Sequence, residues 1–333
     1  MLFQGSTADV VYQEIISDYV KNGWQPVDGR GGGAKEILHA QLLLTDPRQR
    51  WLLSRIPSIN PGLAIAEVVW IMRGNNESGF LKSFFPDLVK FQGESDTFHS
   101  AYGHRLRKRF GFDQLEHAYQ ALSHNPHSRQ VVLQIWDTTI DFPDKQGQPR
   151  DPDIPCNVLS MLKIRNNRLE WMQVMRSNDL WRGLPYNLIQ FTSLQEILSG
   201  WLGISPGDYC HLSDSLHLYA KDEKRLENIK IERPNPLHND DSLALNRKDS
   251  ERVFQEFEKI LIEASKPNVR IKFFRDISKT STIPVAYYNL LLIACAELAR
   301  RKTYFDCIEL LIQSCSNQCL KQIWNQWFIR FRN

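Results

Sequence analysis

Three short segments of the sequence carry side chains whose types and spacing could do chemistry. The first is Asp153-Ile154-Pro155-Cys156-Asn157, in which Cys156 follows a proline in a loop that leads into a predicted strand. Such a cysteine could be a nucleophile presented to a substrate. The alternative is a buried cysteine that packs as a small hydrophobic side chain, and the spacing alone leaves both open.

The second segment, from Met175 to Asn187, concentrates polar groups. Arg176 and Ser177 form a pair of anion donors, Asp179 supplies an acid, Gly183 permits a bend and Asn187 supplies a carboxamide. A connecting loop needs fewer polar groups than this. The segment therefore indicates a ligand-binding function.

The third segment, His211 to Tyr219, alternates in the manner of a strand. The alternation would place Ser213, Ser215, His217 and Tyr219 on one face. Hydroxyl and imidazole groups in a row suit a sugar or a phosphate better than an apolar core.

These segments, in this order and at these separations, resemble the thymidylate synthase family. That family carries a Pro-Cys nucleophile, then Arg-Ser-x-Asp-x-x-x-Gly-Leu-Pro-Phe-Asn, then a His-x-Tyr strand. Here the matching residues are Pro155-Cys156, Arg176 to Asn187 with Tyr186 in place of Phe, and His217-Leu218-Tyr219.

Three upstream stretches extend the resemblance to roughly residues 28–222. Glu67 lies in a stretch similar to the acid-bearing helix of the family, and Tyr102-Gly103 is similar to its Tyr-Gly turn. Ser128-Arg129 stands where the family has Ser-Arg-Arg.

The resemblance implies a function for each matched residue. The catalytic residues would be Cys156, Glu67 and Tyr102, and the folate contacts would be Asp179 and Gly183. The nucleotide-binding residues would be Arg30, Arg129, Arg176, Ser177, Asn187, His217 and Tyr219. Arg129 would reach the phosphate of the partner subunit, because the family builds its site across a homodimer.

The implied reaction is transfer of one carbon from 5,10-methylenetetrahydrofolate to C5 of a pyrimidine nucleoside monophosphate. The expected reaction converts dUMP to dTMP. One alternative is 5-hydroxymethylation of dUMP, dCMP or CMP, and another is a nucleotide-binding module without turnover. Asn187 would read uracil, because a carboxamide offers both a donor and an acceptor.

Four departures from the family pattern bear on the outcome. Asn157 follows the cysteine where His is common, Gln130 replaces the second Arg of Ser-Arg-Arg, and Ser215 stands where Asp is frequent. The stretch 83–93 lacks the tryptophans that screen the folate in the family. Because screening excludes water until hydride arrives, this loss brings hydroxymethylation into consideration.

Composition and periodicity indicate a globular α/β (α+β) protein. The 333 residues carry a net charge of +3, so an anionic substrate must be bound by local arginines and no nucleic-acid partner is expected. The resemblance implies a mixed β-sheet flanked by helices over residues 1–240. Helical periodicity dominates residues 241–333, which predicts an added helical C-terminal region.

The sequence also makes predictions about environment. No stretch approaches the roughly 18 apolar residues of a membrane span, so no membrane partner is expected. Six cysteines are too few for a disulfide scaffold in a chain of this length, and none has the spacing of a metal site. These features predict reduced thiols, no bound metal and a cytoplasmic enzyme.

Overall fold

The computed structural model describes residues 1–29, 32–88, 90, 96–229, 237–279 and 282–331. Its internal contacts divide the chain into two compact units. The first, called here the sheet unit, contains Met1–Ile59, Gln114–Trp136 and Cys156–Pro236. The second, the helical unit, contains Asn60–Asp113, Asp137–Pro155 and Leu237–Asn333. The predicted boundary near residue 240 lies close to the start of the last segment, and the division into a 1–240 catalytic domain and a C-terminal region stays a prediction.

The sheet unit is built on one mixed sheet. Its strands are β1 (Leu2–Gly5), β2 (Gln25–Gly29), β3 (Gly32–Leu44), β4 (Val132–Gln134), β5 (Asn157–Arg165), β6 (Arg168–Met175), β7 (Asn178–Asp179) and β8 (Ser205–Tyr219). They are ordered β1-β3-β8-β6-β5-β4, with β2 paired to β3 and β7 paired to β8. Strand β8 runs antiparallel to β3 and parallel to β6 and β7. The predicted mixed sheet is confirmed.

Strands β5 and β6 form the predicted hairpin around Asn166-Asn167. Both asparagines have positive φ, 50° and 56°, which is the geometry of a type I′ two-residue turn. Asparagine tolerates this left-handed region better than most residues. The turn sets the register in which Leu162 faces Trp171 and Leu159 faces Val174, and a register shift between Asn157 and Leu159 then brings Asn157 opposite Met175.

Three helices belong to the sheet unit: α1 (Ala8–Asn22), α5 (Gln114–His124) and α7 (Leu184–Leu202). Helix α7 begins with Pro185 in its first turn and ends at Gly203, which has φ of 69°. Nearly all of its side chains are buried. Because it is buried on nearly every face, α7 serves as the central core helix of this unit.

Two sequence expectations differ from the observed elements. The predicted strand Gln130–Trp136 is shorter, Val132–Gln134, because the amides of Ile135 and Trp136 both donate to the single carbonyl of Val158. The glycine-rich loop Gly29–Gly33 contains the end of β2 and the start of β3, which pair at Gly29 and Gly32. Arg30 and Gly31 lie outside the described residues.

The helical unit contains the remaining helices. They are α2 (Pro61–Arg73), α3 (Leu81–Phe84), α4 (Tyr102–His104), α6 (Thr138–Asp141), α8 (Arg247–Ser265), α9 (Ile271–Ile277), α10 (Val285–Arg301), α11 (Phe305–Ser314) and α12 (Gln318–Phe328). The helical character predicted for the last ninety residues is therefore observed. Within the described ranges, no helix combines the length and the apolar character needed to cross a bilayer.

Polar contacts attach both ends of α2 to the C-terminal helices. At its N-terminus, the Asn60 side chain caps Leu63 and donates to the carboxylate of Glu297 on α10 at 3.1 Å. At its C-terminus, Arg73 pairs with Glu251 and Glu258 of α8 at 2.5 and 2.9 Å. The C-terminal helices therefore pack as partners of α2, the helix that carries Glu67.

Helix α4 packs closely on the same helix through a glycine. A Cβ atom at Gly103 would lie 2.4 Å from the carbonyl oxygen of Ile71 and 2.5 Å from its Cα. A backbone approach this close excludes any side chain. Glycine therefore allows the turn that carries Tyr102 to lie against α2.

Candidate active site

Cys156 directly precedes β5, is half-buried and forms no disulfide. The predicted loop Phe142–Pro155 precedes it and contains no helix or strand. The carbonyl of Cys156 accepts a hydrogen bond from the amide of Arg176 at 2.9 Å. Because Arg176 directly follows β6, the hairpin places the predicted nucleophile beside the predicted phosphate-binding arginine.

Arg176 and Ser177 lie between β6 and β7, and both are half-buried. The Arg176 guanidinium carbon lies 5.5 Å from the centre of the Trp136 ring, within the range of a cation–π interaction. An aromatic ring on one face of a guanidinium is compatible with hydrogen bonds along its N–H edges, the geometry with which arginine binds phosphate.

Asp179 organises the turn that follows. Its Oδ1 accepts hydrogen bonds from the amides of Trp181 and Arg182 at 2.8 and 2.9 Å. Its carbonyl accepts the amide of Gly183 at 3.0 Å. A Cβ at Gly183 would lie 3.0 Å from the Asn178 side-chain oxygen, so glycine suits this tight approach. Burial raises the pKa of Asp179, while these hydrogen bonds and the nearby imidazole of His217 act in the opposite direction.

Asn187 is held in the first turn of α7. Its amide donates to the carbonyl of Gly183 at 3.0 Å, which ties the start of the helix to the Asp179 turn. Its side-chain Nδ2 donates to Oε1 of Gln190 at 3.1 Å, which fixes the rotation of the carboxamide. A carboxamide held in a single rotation can distinguish a donor from an acceptor on a ligand.

His217 and Tyr219 end β8, with their rings edge to face at 5.1 Å. Asp179 on β7 faces His217 in the register of the two strands. The Nδ1 atom of His217 is buried and has no hydrogen-bond partner within the described part of the chain. A buried, unpaired ring nitrogen is costly, and a ligand hydroxyl would satisfy it.

The sheet unit thus brings together most of the predicted site residues. Through the Cys156–Arg176 hydrogen bond and the Asp179–His217 register, neighbouring strand ends collect Cys156, Arg176, Ser177, Asp179, Gly183, Asn187, His217 and Tyr219. Arg129 is exposed in the segment before β4. Arg30 lies outside the described residues, so its predicted phosphate contact stays a prediction.

Glu67 and Tyr102 belong to the helical unit. Glu67 lies on α2 and Tyr102 at the start of α4, and both side chains are half-buried. Their two elements meet at the Gly103 approach described above. Their predicted functions in proton transfer stay predictions.

The two serines predicted to face a ligand bond to protein groups instead. Ser213 is fully buried and accepts a hydrogen bond from Asn178 at 3.4 Å. The hydroxyl of Ser215 donates to the carboxylate of Glu36 on β3. The ligand contacts predicted for the last two members of this row, His217 and Tyr219, stay predictions.

Sequence reasoning missed a buried polar network behind the site. Asn178 Nδ2 donates to Nε2 of His211 at 2.8 Å, and Nδ1 of His211 contacts the Tyr209 hydroxyl at 2.9 Å. Burial lowers the pKa of His211 to about 3, so the ring is neutral at pH 7. Because Nε2 accepts, Nδ1 carries the proton and donates to Tyr209. The shared strand face of Tyr209, His211 and Ser213 was the available signal.

A second missed network surrounds Asn157, the residue after the cysteine. Its Oδ1 accepts from Nε2 of Gln173 at 2.5 Å, and Ser160 donates to Oε1 of Gln173 at 2.7 Å. All three side chains are fully buried. In this chain the position after the nucleophile therefore anchors β5 to β6 through a buried amide pair.

Arg55 is a further residue that spacing did not reveal. Its guanidinium lies 3.9 Å from the centre of the Trp181 ring and donates to the carbonyls of Pro57 and Trp181 at 2.9 and 3.1 Å. Burial lowers the pKa of Arg55, and its Nε has no partner within the described residues of the chain. It fixes Trp181, the residue two after Asp179.

A contact in the helical unit anchors the loop that leads to Cys156. Oδ2 of Asp153 accepts the amide of Ser100 at 2.9 Å, and burial raises the pKa of this carboxyl. Ser100 lies two residues before Tyr102, and Asp153 lies three before Cys156. This hydrogen bond therefore joins the segment before Tyr102 to the segment before the nucleophile. Over the described residues, no group of three or more His, Cys, Asp or Glu side chains is arranged to hold a metal ion.

The raised pKa of Asp179 makes a prediction about stability. Because the folded-state pKa lies above the unfolded value of 3.8, the contribution of this group to stability is greatest below pH 3.8 and is lost as the pH rises through the folded pKa. Asp179→Asn keeps an oxygen for the amides of Trp181 and Arg182 but carries no charge. We expect the variant to be more stable than the parent at pH 7, with a smaller advantage at pH 4.5, in urea unfolding.

The matched control is Asp179→Ala, which removes the acceptor of both amides. We expect the free energy of unfolding of this variant to be about 1–3 kcal/mol lower than that of the parent at both pH values, because two backbone donors are left unpaired. If Asp179→Asn were no more stable than the parent at pH 7, burial would not be the dominant influence on the pKa of this carboxylate.

Comparison with known proteins places this geometry in a family. A family model described as thymidylate synthase matches residues 10–274. A deoxyuridylate hydroxymethyltransferase of Bacillus phage SP01 is 32% identical over 231 residues, which cover 66% of this chain and 59% of the phage protein. Another, of Pseudomonas phage M6, is 32% identical over 177 residues, 53% of this chain and 49% of that protein.

A thymidylate synthase of Clostridium beijerinckii is 26% identical over 247 residues, 72% of this chain and 88% of the bacterial protein. The chain spans about half to three fifths of the length of the two phage proteins. The family model covers most of the chain, and the residues that it spans include the nucleophile, the Arg-to-Asn segment and the His-x-Tyr strand. The chain belongs to the thymidylate synthase family.

Proposed function

We propose that this chain transfers one carbon from 5,10-methylenetetrahydrofolate to C5 of dUMP. One observation carries the proposal: the hydrogen bond between the Cys156 carbonyl and the Arg176 amide holds a half-exposed thiol beside an anion-binding arginine. A nucleophile next to a phosphate site suits a reaction on the base of a nucleotide. The family membership supports the same conclusion.

The chemistry explains why the site needs a thiol. C5 of uracil is a poor nucleophile, and addition of the Cys156 thiolate to C6 converts the ring to an enolate. C5 then attacks the one-carbon electrophile and loses its proton. The bond between the methylene and the folate nitrogen breaks, water or hydride adds to the methylene, and elimination of the Cys156 thiolate restores the ring. The backbone hydrogen bond places Arg176 beside Cys156 in the chain pairing, and we propose this arginine as the cation that supports the thiolate. Glu67 and Tyr102 are proposed to move protons through water.

The remaining residues are proposed to bind the two substrates. Arg176 and Ser177 would bind the phosphate together with Arg30. His217 and Tyr219 would bind the 3′-hydroxyl, a function supported by the unpaired Nδ1 of His217. Folate would contact Asp179 and Gly183.

We propose the 5-hydroxymethyl nucleotide as the product. Residues 74–100 contain no tryptophan that could screen the reacting methylene from water. Two relatives at 32% identity are named deoxyuridylate hydroxymethyltransferase. Water attack on the methylene releases tetrahydrofolate, whereas hydride transfer gives dTMP and dihydrofolate. Formation of dTMP is the second candidate, favoured by the thymidylate synthase of Clostridium beijerinckii.

A homodimer is proposed from one face of the sheet. Half-buried side chains, mostly apolar, form two rows across four strands, because neighbours in each row face one another in the strand registers. The rows are Leu43, Cys210, Met172 and Met161, and Gln41, Leu212, Val174 and Leu159. An apolar sheet face of this extent suits a self-complementary contact. Arg129 of each subunit would then reach the phosphate bound by the other.

The six cysteines support a reducing environment. All six lie in the described part of the chain, and none forms a disulfide there. A reduced nucleophile is also required by the proposed chemistry. We therefore propose that the enzyme works in the cytoplasm.

Replacing the nucleophile tests the reaction. Cys156→Ala should abolish product formation but keep dUMP affinity within about tenfold, because the arginines supply most of the binding energy. The control Cys315→Ala, a buried cysteine of the helical unit, should keep activity. Mass spectrometry of the nucleotide, with absorbance for dihydrofolate, identifies the product.

The outcomes of this experiment distinguish between the candidate functions. Product from Cys156→Ala would overturn the mechanism. Full-length parent that binds dUMP without turnover would favour the binding module. Formation of dTMP with an equal amount of dihydrofolate would replace hydroxymethylation by methylation.

Asn187→Asp tests recognition of the base. A carboxylate at this position no longer donates to O4 of uracil, so preference should shift towards cytosine nucleotides by about 1–3 kcal/mol. Calorimetric titration of the parent and of Asn187→Asp, each with dUMP and with dCMP, measures the shift in preference. Equal relative affinities before and after the change would mean that Asn187 does not read the base.

Val174→Lys tests the homodimer. Val174 lies within the apolar rows, so a lysine should convert the protein to a monomer in light scattering and reduce kcat/KM at least about tenfold by removing Arg129 of the partner. The control is Val20→Lys, at an apolar position of α1 that is 68% exposed. This variant should change neither the oligomeric state nor kcat/KM. A dimer that survives Val174→Lys would place the interface elsewhere.

A further inference from the structure

A cleft of about 720 Å³ lies in the helical unit, at the C-terminal end of α10. Four cations contribute to its lining: Arg300, Arg301, Lys302 and Arg330. Two aromatic side chains, Phe305 and Phe331, also line it, and its described lining contains no acidic side chain. The volume lies in the range of small-molecule sites.

A buried carboxylate holds two of these cations in place. Glu297 is fully buried and accepts from Arg300 at 2.8 Å and from Arg301 at 2.7 Å. It also accepts from Trp327 Nε1 at 3.0 Å and from Asn60 at 3.1 Å. One negative charge orients two guanidiniums, so a net positive charge remains at the cleft.

Aromatic rings pack against the guanidinium of Arg330, and one of them also packs against that of Arg300. The Arg330 guanidinium carbon lies 3.6 Å from the centre of the Trp327 ring and 5.6 Å from that of Phe331. The Arg300 guanidinium carbon lies 3.8 Å from the centre of the Phe331 ring. Stacking covers the faces of a guanidinium and leaves its N–H edges for hydrogen bonds, which is how arginine binds phosphate.

Lys302 completes the cluster. Its ammonium donates to the carbonyl of Lys266 at 2.7 Å, and burial lowers its pKa. An anion in the cleft would offset this desolvation. The favourable interaction of cations with a helix C-terminus accounts for Arg300 and Arg301 but not for Arg330, which belongs to a later segment.

We propose that this cleft binds a small polyanion with two or more phosphate groups, such as inorganic triphosphate or a nucleoside triphosphate. Four cations that converge without an acidic side chain in the lining match several negative charges. Preorganisation by Glu297 and the aromatic rings reduces the cost of ordering the arginines on binding. The proposal is independent of the reaction proposed for the sheet unit.

The test changes charge in the cleft without touching Glu297. Phe305 is 56% exposed and begins α11, where a carboxylate is favourable to the helix. Phe305→Glu adds one negative charge, and Phe305→Gln is its neutral match. Calorimetric titration of the full chain with inorganic triphosphate, and separately with dTTP, measures binding at low and moderate salt.

We expect saturable binding to the parent that Phe305→Glu weakens at least about tenfold and Phe305→Gln changes less than about threefold. Arg330→Gln should also weaken binding, whereas Arg252→Gln, on the exposed surface of α8, should not. Tighter binding of dTTP than of triphosphate would assign the ligand as a nucleotide, and equal binding would assign the phosphate chain.

Three results would overturn the proposal. The first is the absence of saturable binding to the parent. The second is binding that Phe305→Glu leaves unchanged, which would locate the anion elsewhere. The third is tighter binding of a single-stranded oligothymidylate than of triphosphate. If Phe305→Glu abolished that binding, the cleft would be a nucleic-acid site.

Discussion

The register of the β5–β6 hairpin is the constraint on which the proposed site depends. The two-residue turn at Asn166-Asn167 sets the pairing outwards to Leu159 and Val174, and a register shift between Asn157 and Leu159 then brings Asn157 opposite Met175. Continuing one step beyond this shift places Cys156 beside Arg176, where the backbone hydrogen bond forms. A slip of one residue would turn each side chain of β6 to the opposite face.

Once that pairing exists, the other contributions follow from the neighbouring strands. Strand β8 lies parallel to β6 and also pairs with β7, so the residues after β6 meet the end of β8 at Asp179 and His217. The Asp179 turn then delivers the chain to Asn187 at the start of α7. The proposed nucleophile, anion site and base-reading group are thus ordered by successive backbone contacts.

The polar groups behind the site have a cost that the fold must offset. Asn178, His211 and Tyr209 are buried, and so are Asn157 and Gln173. Mutual hydrogen bonds reduce this cost, and the low pKa keeps His211 neutral so that no unpaired charge is buried. Networks of this kind favour a single arrangement, because a shifted strand would leave several donors unpaired at once.

Local features were predictable from the sequence, and distant pairings were not. The Asn-Asn turn depends on neighbouring residues, and the observed hairpin confirms it. The sequence also predicts a helix over 187–202, but as an amphipathic one, whereas nearly all side chains of α7 are buried. The Asn178–His211 contact joins residues 33 apart, and the Arg55–Trp181 contact joins residues 126 apart. Pairing over such separations depends on topology, which one sequence does not reveal.

The mixed composition of the two units has a consequence for how this protein can change during evolution. Each unit is assembled from three separate stretches of the chain, and α2, with its acid, is tied to α8 and α10 across more than 170 residues. No single break in the chain yields either unit whole. A deletion of the C-terminal helices would therefore also remove the carboxylates that pair with Asn60 and Arg73 at the two ends of α2.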